Sequence, residues 1–251
     1  AEAGMGVDFG DINHNGRLDL FVTNFSGESN TLYLNDGNGS FIDKTFSAGL
    51  GQPSLDVLGF GTKFMDINLD GWLDLFVVNG HVIDNISHFN SAYTHAQRKQ
   101  VFINNKNGTF SEIDQLLIGA AALPSVGRGA AFGDIDNDGD MDIVISNNNQ
   151  PANLLIKTGI PENNWIGFEL EGTSSSRDAI GAKVTIESAS GMQIAYVNPG
   201  ASYLASNDKR IVFGLNDAET IAAIIVDWPG GQRQNVNVQE INRYHKIVQS
   251  E

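Results

Sequence analysis

A stretch near the middle of the chain, GDIDNDGDMDI at residues 133–143, places an aspartate at every second position. Carboxylates a few ångströms apart raise each other's pKa and oppose compaction unless a cation neutralises them. The stretch also continues directly into an apolar segment, so the chain has to fold around this charge. We therefore expect a bound cation at this position.

The spacing within this stretch matches a calcium-binding loop. Such loops take side-chain oxygens from positions 1, 3, 5 and 9 and a backbone carbonyl from position 7, and they need glycine at position 6. Glycine stands at position 6 as Gly139. The predicted ligands are Asp134, Asp136, Asp138, the carbonyl of Asp140, and Asp142.

The same loop occurs twice more, at residues 11–19 and 66–74. In the first copy, DINHNGRLD, the predicted ligands are Asp11, Asn13, Asn15, the carbonyl of Arg17, and Asp19. In the second copy, DINLDGWLD, they are Asp66, Asn68, Asp70, the carbonyl of Trp72, and Asp74. We predict three Ca²⁺ sites, of which the first is the weakest because it has the fewest charged ligands. A solvated acidic turn without metal is the alternative at each loop.

Short β-type runs, not helices, flank each loop. LDLFVTN, LDLFVVN and MDIVISN follow the three loops, and GVDFGD, GTKFMD and GAAFGD lead into them. An EF-hand would instead carry a glutamate at position 12 and helical flanks. The loops are therefore predicted to join the strands of hairpins. The phenylalanine two places before each loop is expected to pack on the core side of its strand; these residues are Phe9, Phe64 and Phe132.

A second turn signal follows the first two loops. YLNDGNGSFID and FINNKNGTFSE both contain Asn-Gly, then a hydroxyl residue, then Phe, and Asn-Gly between apolar runs strongly favours a hairpin. One repeat is thus predicted to be four antiparallel strands, which is the blade of a β-propeller. The third repeat has only NLLIKTG after its second strand.

These loops and turns resemble the FG-GAP or VCBS repeats of integrin-type propellers. The last third of the chain is similar to the ASPIC/UnbV domain of the cartilage acidic protein-like family, through NNWIGFELEG, RDAIGAKVTI, NPGASYLASNDKRIVFGL and IIVDWPGG. The resemblance implies an all-β fold, with a partial set of propeller-like blades at residues 1–160 and a β-sandwich-like domain at residues 161–251. A closed propeller needs at least four blades. We therefore expect either further repeats before Ala1 or completion of the array by neighbouring copies.

Composition limits the partners. The formal net charge is −15, which disfavours nucleic acid and anionic membranes. No apolar run reaches the roughly 18 residues that would predict a membrane span. The chain contains no cysteine, which excludes disulfides and thiolate chemistry. Weak calcium loops, with a Kd of about 10⁻⁴–10⁻³ M, suit a calcium-rich compartment, so we predict a secreted or cell-surface protein.

Two functions stay open at this point. The first is a non-catalytic interaction module for adhesion, matrix or surface assembly, with a protein or glycan ligand or with self-association through open blade edges. The second is a polysaccharide-active enzyme or an accessory factor of a biosynthetic pathway, which would need an acid or histidine from the loop between His81 and His95. No catalytic motif assigns such a residue.

Other side chains also allow two interpretations. His81, His88 and His95 form either a transition-metal cluster or, as we favour, part of a packed loop. Trp165, Trp228 and Tyr203 are candidates for stacking on sugars, although we expect Trp228 to pack inside its domain. The N-x-S/T sequences at Asn24, Asn38, Asn85 and Asn107 are either glycosylation acceptors in a secretory host or ordinary turns.

Overall fold

The structure is a computed structural model that describes residues 2–158 and 163–250. Within these residues the chain forms five β-sheets and only short helices, so the predicted all-β class is confirmed. None of the described helices has the length and apolar character needed to cross a membrane. The predicted domain boundary at residues 160–161 lies outside the described residues.

The first two repeats each build a four-stranded antiparallel sheet whose strands follow in chain order. The first sheet consists of β1 (Val7–Gly10), β2 (Asp19–Val22), β3 (Thr31–Asn35) and β4 (Phe41–Asp43). The second consists of β5 (Gly59–Met65), β6 (Asp74–Asn79), β7 (Gln100–Asn104) and β8 (Phe110–Glu112). In both sheets the acidic loop joins the first two strands and the Asn-Gly turn joins the last two, as predicted.

The third repeat forms a three-stranded sheet, which agrees with its shorter sequence. Its strands are β9 (Gly127–Gly133), β10 (Asp142–Asn147) and β11 (Gln150–Leu155). Short helices lie between the strands. The helix α1 (Gly51–Ser54) precedes the second sheet, and a 3₁₀ turn at Ile86–His88 lies between its strands β6 and β7. Two further 3₁₀ turns, at Gln115–Leu117 and Gly119–Ala122, precede the third sheet.

The three sheets stack face to face in a propeller-like arrangement. Side chains alternate between the two faces of a strand, and each interior face is apolar. Phe21 and Leu32 of the first sheet pack in one core with Phe64 and Leu75 of the second. The opposite face of the second sheet packs on Phe132 and its neighbours in the third. Each sheet therefore covers the apolar face of the sheet that follows it.

Phe9 departs from our prediction because it does not pack in a core. Phe64 and Phe132 are only 4% and 2% exposed, whereas Phe9 is 39% exposed. All three occupy the same register, opposite the second residue of the next strand; for Phe9 this partner is Leu20. That register directs the ring towards the preceding sheet, and no described residue forms a sheet ahead of β1. The prediction was wrong because it considered the strand without its neighbouring sheet.

The C-terminal part contains two further sheets. Its strands are β12 (Asn164–Glu171), β13 (Lys183–Ser188), β14 (Gly191–Tyr196), β15 (Ile211–Asn216), β16 (Ile221–Asp227), β17 (Arg233–Asn235) and β18 (Tyr244–Val248). One sheet has the order β15-β12-β18 and the other β14-β13-β16-β17. Phe168 and Phe213 of the first sheet share one hydrophobic core with Val184 and Val226 of the second. Trp228 lies in this core and is 2% exposed, as expected.

The segment before β15 connects the two parts of the molecule. Ser202 pairs with Val7 of β1, and its amide donates to the Val7 carbonyl over 2.8 Å. The Ser202 hydroxyl accepts the amide of Thr62 in β5 over 3.2 Å. The Asp208 amide donates to the carbonyl of Phe132 in β9 over 2.9 Å. This segment thus bonds to the first strand of every sheet in the stack.

Candidate metal centres

The three acidic loops share one backbone conformation. Glycine at position 6 has a positive φ in each loop: 77° at Gly16, 89° at Gly71 and 93° at Gly139. Residues with a Cβ rarely adopt this region, which explains why glycine recurs there. Position 4 is also left-handed, with φ of 57° at Leu69 and 64° at Asn137. In the second loop the sequence gives no sign of this left-handed conformation, because leucine rarely adopts it.

The first aspartate of each loop closes the turn from within. In the first loop, Asp11 accepts the backbone amide of Asn15 over 3.0 Å and that of Gly16 over 2.8 Å. Asp66 accepts the equivalent pair over 3.0 and 2.7 Å. Asp134 does so over 3.2 and 2.8 Å. The same residue type at the same spacing therefore builds the same hydrogen-bonded turn in each repeat.

The third loop brings three carboxylates into one group. Asp134, Asp136 and Asp138 each offer an oxygen, and these oxygens all lie within 4.8 Å of one another. Ca²⁺ binds oxygen at about 2.3–2.6 Å, so two ligands of one ion are separated by at most about 5 Å. Donor sets made only of oxygen suit calcium or magnesium better than zinc or copper. The residues present therefore fit the predicted cation.

The aspartate at position 9 ties each loop to the sheet. Asp19 accepts the amide of Ile12 over 3.3 Å and that of Asn35 in β3 over 2.9 Å. Asp74 accepts the equivalent amides over 3.0 and 2.8 Å, and Asp142 over 2.9 and 3.0 Å. These residues hold the base of the loop, and their role as metal ligands stays a prediction.

Burial makes these carboxylates costly without a cation. Desolvation raises the pKa of Asp19 to about 6 and that of Asp74 to about 7. Desolvation, and then the nearby charge of Asp74, raise the pKa of Asp66 well above its ordinary value. A cation close to such groups favours their charged form. A cation at the second loop would therefore stabilise these carboxylates, even though Asn68 contributes no charge.

Lysine side chains offset part of this negative charge. Lys157 forms an ion pair with the Asp140 carboxylate, and Lys106 lies 3.0 Å from Asp70. The ligand role of the Asp140 backbone carbonyl stays a prediction. Burial raises the pKa of Asp140, and the bond from Lys157 opposes this shift.

Of the three histidines of the long loop, His81 lies in a packed arrangement. His81 is buried, its Nε2 lies 3.2 Å from the Ser26 hydroxyl, and its Nδ1 accepts the Ile83 amide over 3.0 Å. Its ring stacks on Tyr93, whereas His88 is exposed. Among the described residues, no group of potential metal ligands includes a histidine. This geometry favours the packed-loop interpretation.

Stacked sheets of three or four strands, each with an oxygen-rich loop after its first strand, define a propeller-like repeat protein. The chain belongs to the FG-GAP-like repeat family, whose model matches residues 11–77 and 66–145. A model described as ASPIC and UnbV matches residues 172–251. Both findings confirm the resemblance inferred from the motifs.

The chain is also similar to Cartilage acidic protein 1 from three vertebrates. It is 27% identical to the Mus musculus protein, over 98% of this chain and 45% of the relative. The Homo sapiens protein is 26% identical over 98% of this chain and 44% of the relative. The Xenopus tropicalis protein is 27% identical over 95% of this chain and 44% of the relative. The chain thus spans less than half the length of these relatives.

Proposed function

We propose that this chain is a calcium-stabilised, non-catalytic interaction module that acts outside the cytosol, in adhesion, matrix or surface assembly. The acid cluster of the third loop carries this proposal, because three carboxylate oxygens within 4.8 Å of one another repel each other unless a cation is bound. The chain combines blade repeats at residues 1–160 with an ASPIC/UnbV-like domain at residues 161–251.

Calcium has a structural role in this proposal. A site held at roughly 100 times its Kd adds about 2.7 kcal/mol to the free energy of unfolding. Three such sites would add about 8 kcal/mol, which is comparable with the whole stability of an ordinary domain. Dependence on calcium at this level suits a compartment where calcium is plentiful. The relatives are named for cartilage and for acidity, and this chain shares the acidity, with a net charge of −15.

Two observations support an interaction role over a catalytic one. The acids that stand out in the sequence close the three loops, as the bonds to Asp11, Asp66 and Asp134 illustrate. Both ring nitrogens of His81 already have polar partners, the Ser26 hydroxyl and the Ile83 amide. His81 therefore gives no support to a polysaccharide-active enzyme.

The outer face of the first sheet is a surface for a protein or glycan ligand or for self-association. Val7 is 40% exposed and Phe9 39% exposed, and Leu20 lies opposite Phe9 on the same face. The equivalent face of the second sheet is covered by the first sheet. We therefore propose this apolar face as a second route to self-association, beside the open blade edges.

Calcium titration combined with light scattering tests the proposal. We expect about three Ca²⁺ per chain, with a higher melting temperature in millimolar calcium than in EGTA. Asp136→Asn should remove one site, whereas Asp56→Asn makes the same charge change at an exposed residue and should remove none. If calorimetry detects no calcium binding at millimolar concentration and EGTA leaves unfolding unchanged, the proposed function is wrong.

A further inference from the structure

The C-terminal part of the chain reaches into the third loop. The hydroxyl of Tyr244, in β18, donates to Asp134 Oδ2 over 2.7 Å. This oxygen also accepts the amide of Gly139 over 2.8 Å, and Asp134 is only 2% exposed. Two donors, one from each part of the chain, thus fix the orientation of the first predicted ligand. The other oxygen, Oδ1, accepts the amide of Asp138 over 3.2 Å.

Arg210 contacts the same loop from a neighbouring position. Its guanidinium donates to the backbone carbonyl of Asp134 and to the side-chain oxygen of Asn137. Asp208 holds the guanidinium in place, because its carboxylate accepts a hydrogen bond from Arg210 Nε over 2.7 Å. The guanidinium also lies over the Tyr244 ring, 4.4 Å from the centroid. Arg210 and Tyr244 therefore act on the loop as one unit.

Trp165 completes the contact by packing against the glycine of the loop. A Cβ added at Gly139 would lie 2.2 Å from the Trp165 ring, so only glycine allows this approach. The Trp165 and Tyr244 rings meet edge to face with centroids 5.2 Å apart. Side chains from β12, from β18 and from the segment before β15 thus contact one side of the loop.

The other two loops lack this bond to their first ligand. The second loop meets the C-terminal part through its backbone, as when the Asn216 amide donates to the Leu69 carbonyl over 3.0 Å. In the described residues, Asp11 and Asp66 accept hydrogen bonds only from their own loops. The third loop therefore differs from the other two because its first aspartate accepts a hydrogen bond from the C-terminal part of the chain.

We propose that the third calcium site is composite, with Tyr244 and Arg210 as positioning residues supplied by the C-terminal domain. This inference rests on the proposed calcium function. Outer-shell partners orient the ligands of a metal site, and their loss typically lowers metal affinity about 10- to 100-fold. Coupling between two sites is reciprocal. Calcium in the third loop should therefore also hold the C-terminal domain on the blades.

Calorimetric calcium titration of Tyr244→Phe tests the first half of the proposal. This change keeps the ring and removes one hydroxyl, so we expect about 10-fold weaker binding at one site and unchanged binding at the others. Tyr196→Phe removes a hydroxyl from another tyrosine of the same domain, on β14, and should bind like the wild type. Arg210→Gln is a second variant with the same expected direction if Tyr244→Phe does not fold.

Hydrogen–deuterium exchange of Asp136→Asn in calcium tests the reverse direction. Asp136 is a predicted ligand that makes no hydrogen bond to the C-terminal part in the described residues, so its substitution acts through the metal. We expect faster exchange in β12 and β18 than in the wild type, and no change with Asp56→Asn. Equal exchange in all three proteins would contradict the coupling.

The outcomes separate the two proposals. If the wild type binds no calcium, the proposed function fails and the composite site fails with it. If the wild type binds calcium while Tyr244→Phe and Arg210→Gln bind with wild-type affinity at every site, only the composite site is wrong. Weaker binding at one site in both variants, with Tyr196→Phe unchanged, supports it.

Discussion

The imidazole of His14 lies nearly flat on the indole of Trp72, with ring centroids 4.1 Å apart and planes inclined by 19°. His14 Nε2 is also 2.9 Å from the carbonyl oxygen of Gly71. His14 is at position 4 of the first loop, whereas Trp72 and Gly71 belong to the second. The first two loops are therefore in direct contact, and a change in one should affect the other.

We expect His14→Asn to destabilise the chain. Asparagine tolerates the left-handed backbone at this position, where φ is 57°, so the substitution removes the stacking contact and the hydrogen bond without new strain. Together these are worth about 1–2 kcal/mol, measurable by urea unfolding in EGTA. His88→Asn, at an exposed residue, is the control. Equal unfolding midpoints for both variants would show that the contact between the loops contributes nothing.

The stability of the metal-free chain should fall as the pH rises from 4 towards 7. The pKa is raised from 3.8 to about 7 for Asp74 and to about 6 for Asp19, so across this range the folded state binds more protons than the unfolded state. Stability then decreases with increasing pH. Calcium should reverse this pH dependence of stability because it binds the deprotonated carboxylates.

Thermal unfolding at pH 5 and pH 7.5, each with EGTA or with excess calcium, measures both effects. The melting temperature should be higher at pH 5 in EGTA and higher at pH 7.5 in calcium. The same pH dependence in both conditions would show that these carboxylates do not bind the ion.

Asn15→Asp should strengthen the first calcium site. Position 5 carries an acid in the other two loops, and affinity rises with the number of charged ligands. The Asn15 Oδ1 accepts the Arg17 amide over 2.9 Å, a bond that aspartate keeps. Asn90→Asp is a matched control, because Asn90 Oδ1 accepts the Ala92 amide in the same way over 3.0 Å. If calorimetry gives both variants the same affinity at the weakest site, Asn15 is not a ligand.

Gly139→Ala should destabilise the chain more than Gly108→Ala does. Both glycines have a positive φ, 93° and 82°, so both substitutions carry a backbone cost of about 1–3 kcal/mol. A Cβ at position 139 also meets Trp165 at 2.2 Å, while nothing lies within 4 Å of one at position 108. Overpacking of this kind adds about 1–3 kcal/mol. If urea unfolding showed the same loss of stability for both variants, Trp165 would accommodate the added methyl group without an energetic cost.

Phe9→Ser should reduce self-association if the outer face of the first sheet mediates it. The substitution removes the ring that this face exposes, and apolar burial is the main driving force of association. Phe89→Ser is the control, since Phe89 is a more exposed ring, at 76%, in the loop between β6 and β7. Light scattering over a range of concentrations measures the particle mass. A mass unaffected by Phe9→Ser would place the contact elsewhere.

Much of the blade architecture could be predicted from local sequence. Glycine at position 6, the Asn-Gly turns and the apolar runs each act within about ten residues, so their spacing specifies the hairpins directly. The environment of Phe9 could not be predicted in this way, because its exposure depends on a neighbouring sheet. The left-handed conformation of Leu69 was also missed, since leucine does not indicate it.

The sequence by itself determined the order of oxygen-bearing side chains in each loop, the antiparallel blades and the family. Only the tertiary structure decided which loop has a first aspartate that accepts a side-chain hydrogen bond from β18. Asp134 and Tyr244 are separated by 110 positions, and neither residue carries a local signal of the other. The donors follow from turn geometry, which is short-range, whereas their outer partners follow from how separately formed sheets pack together.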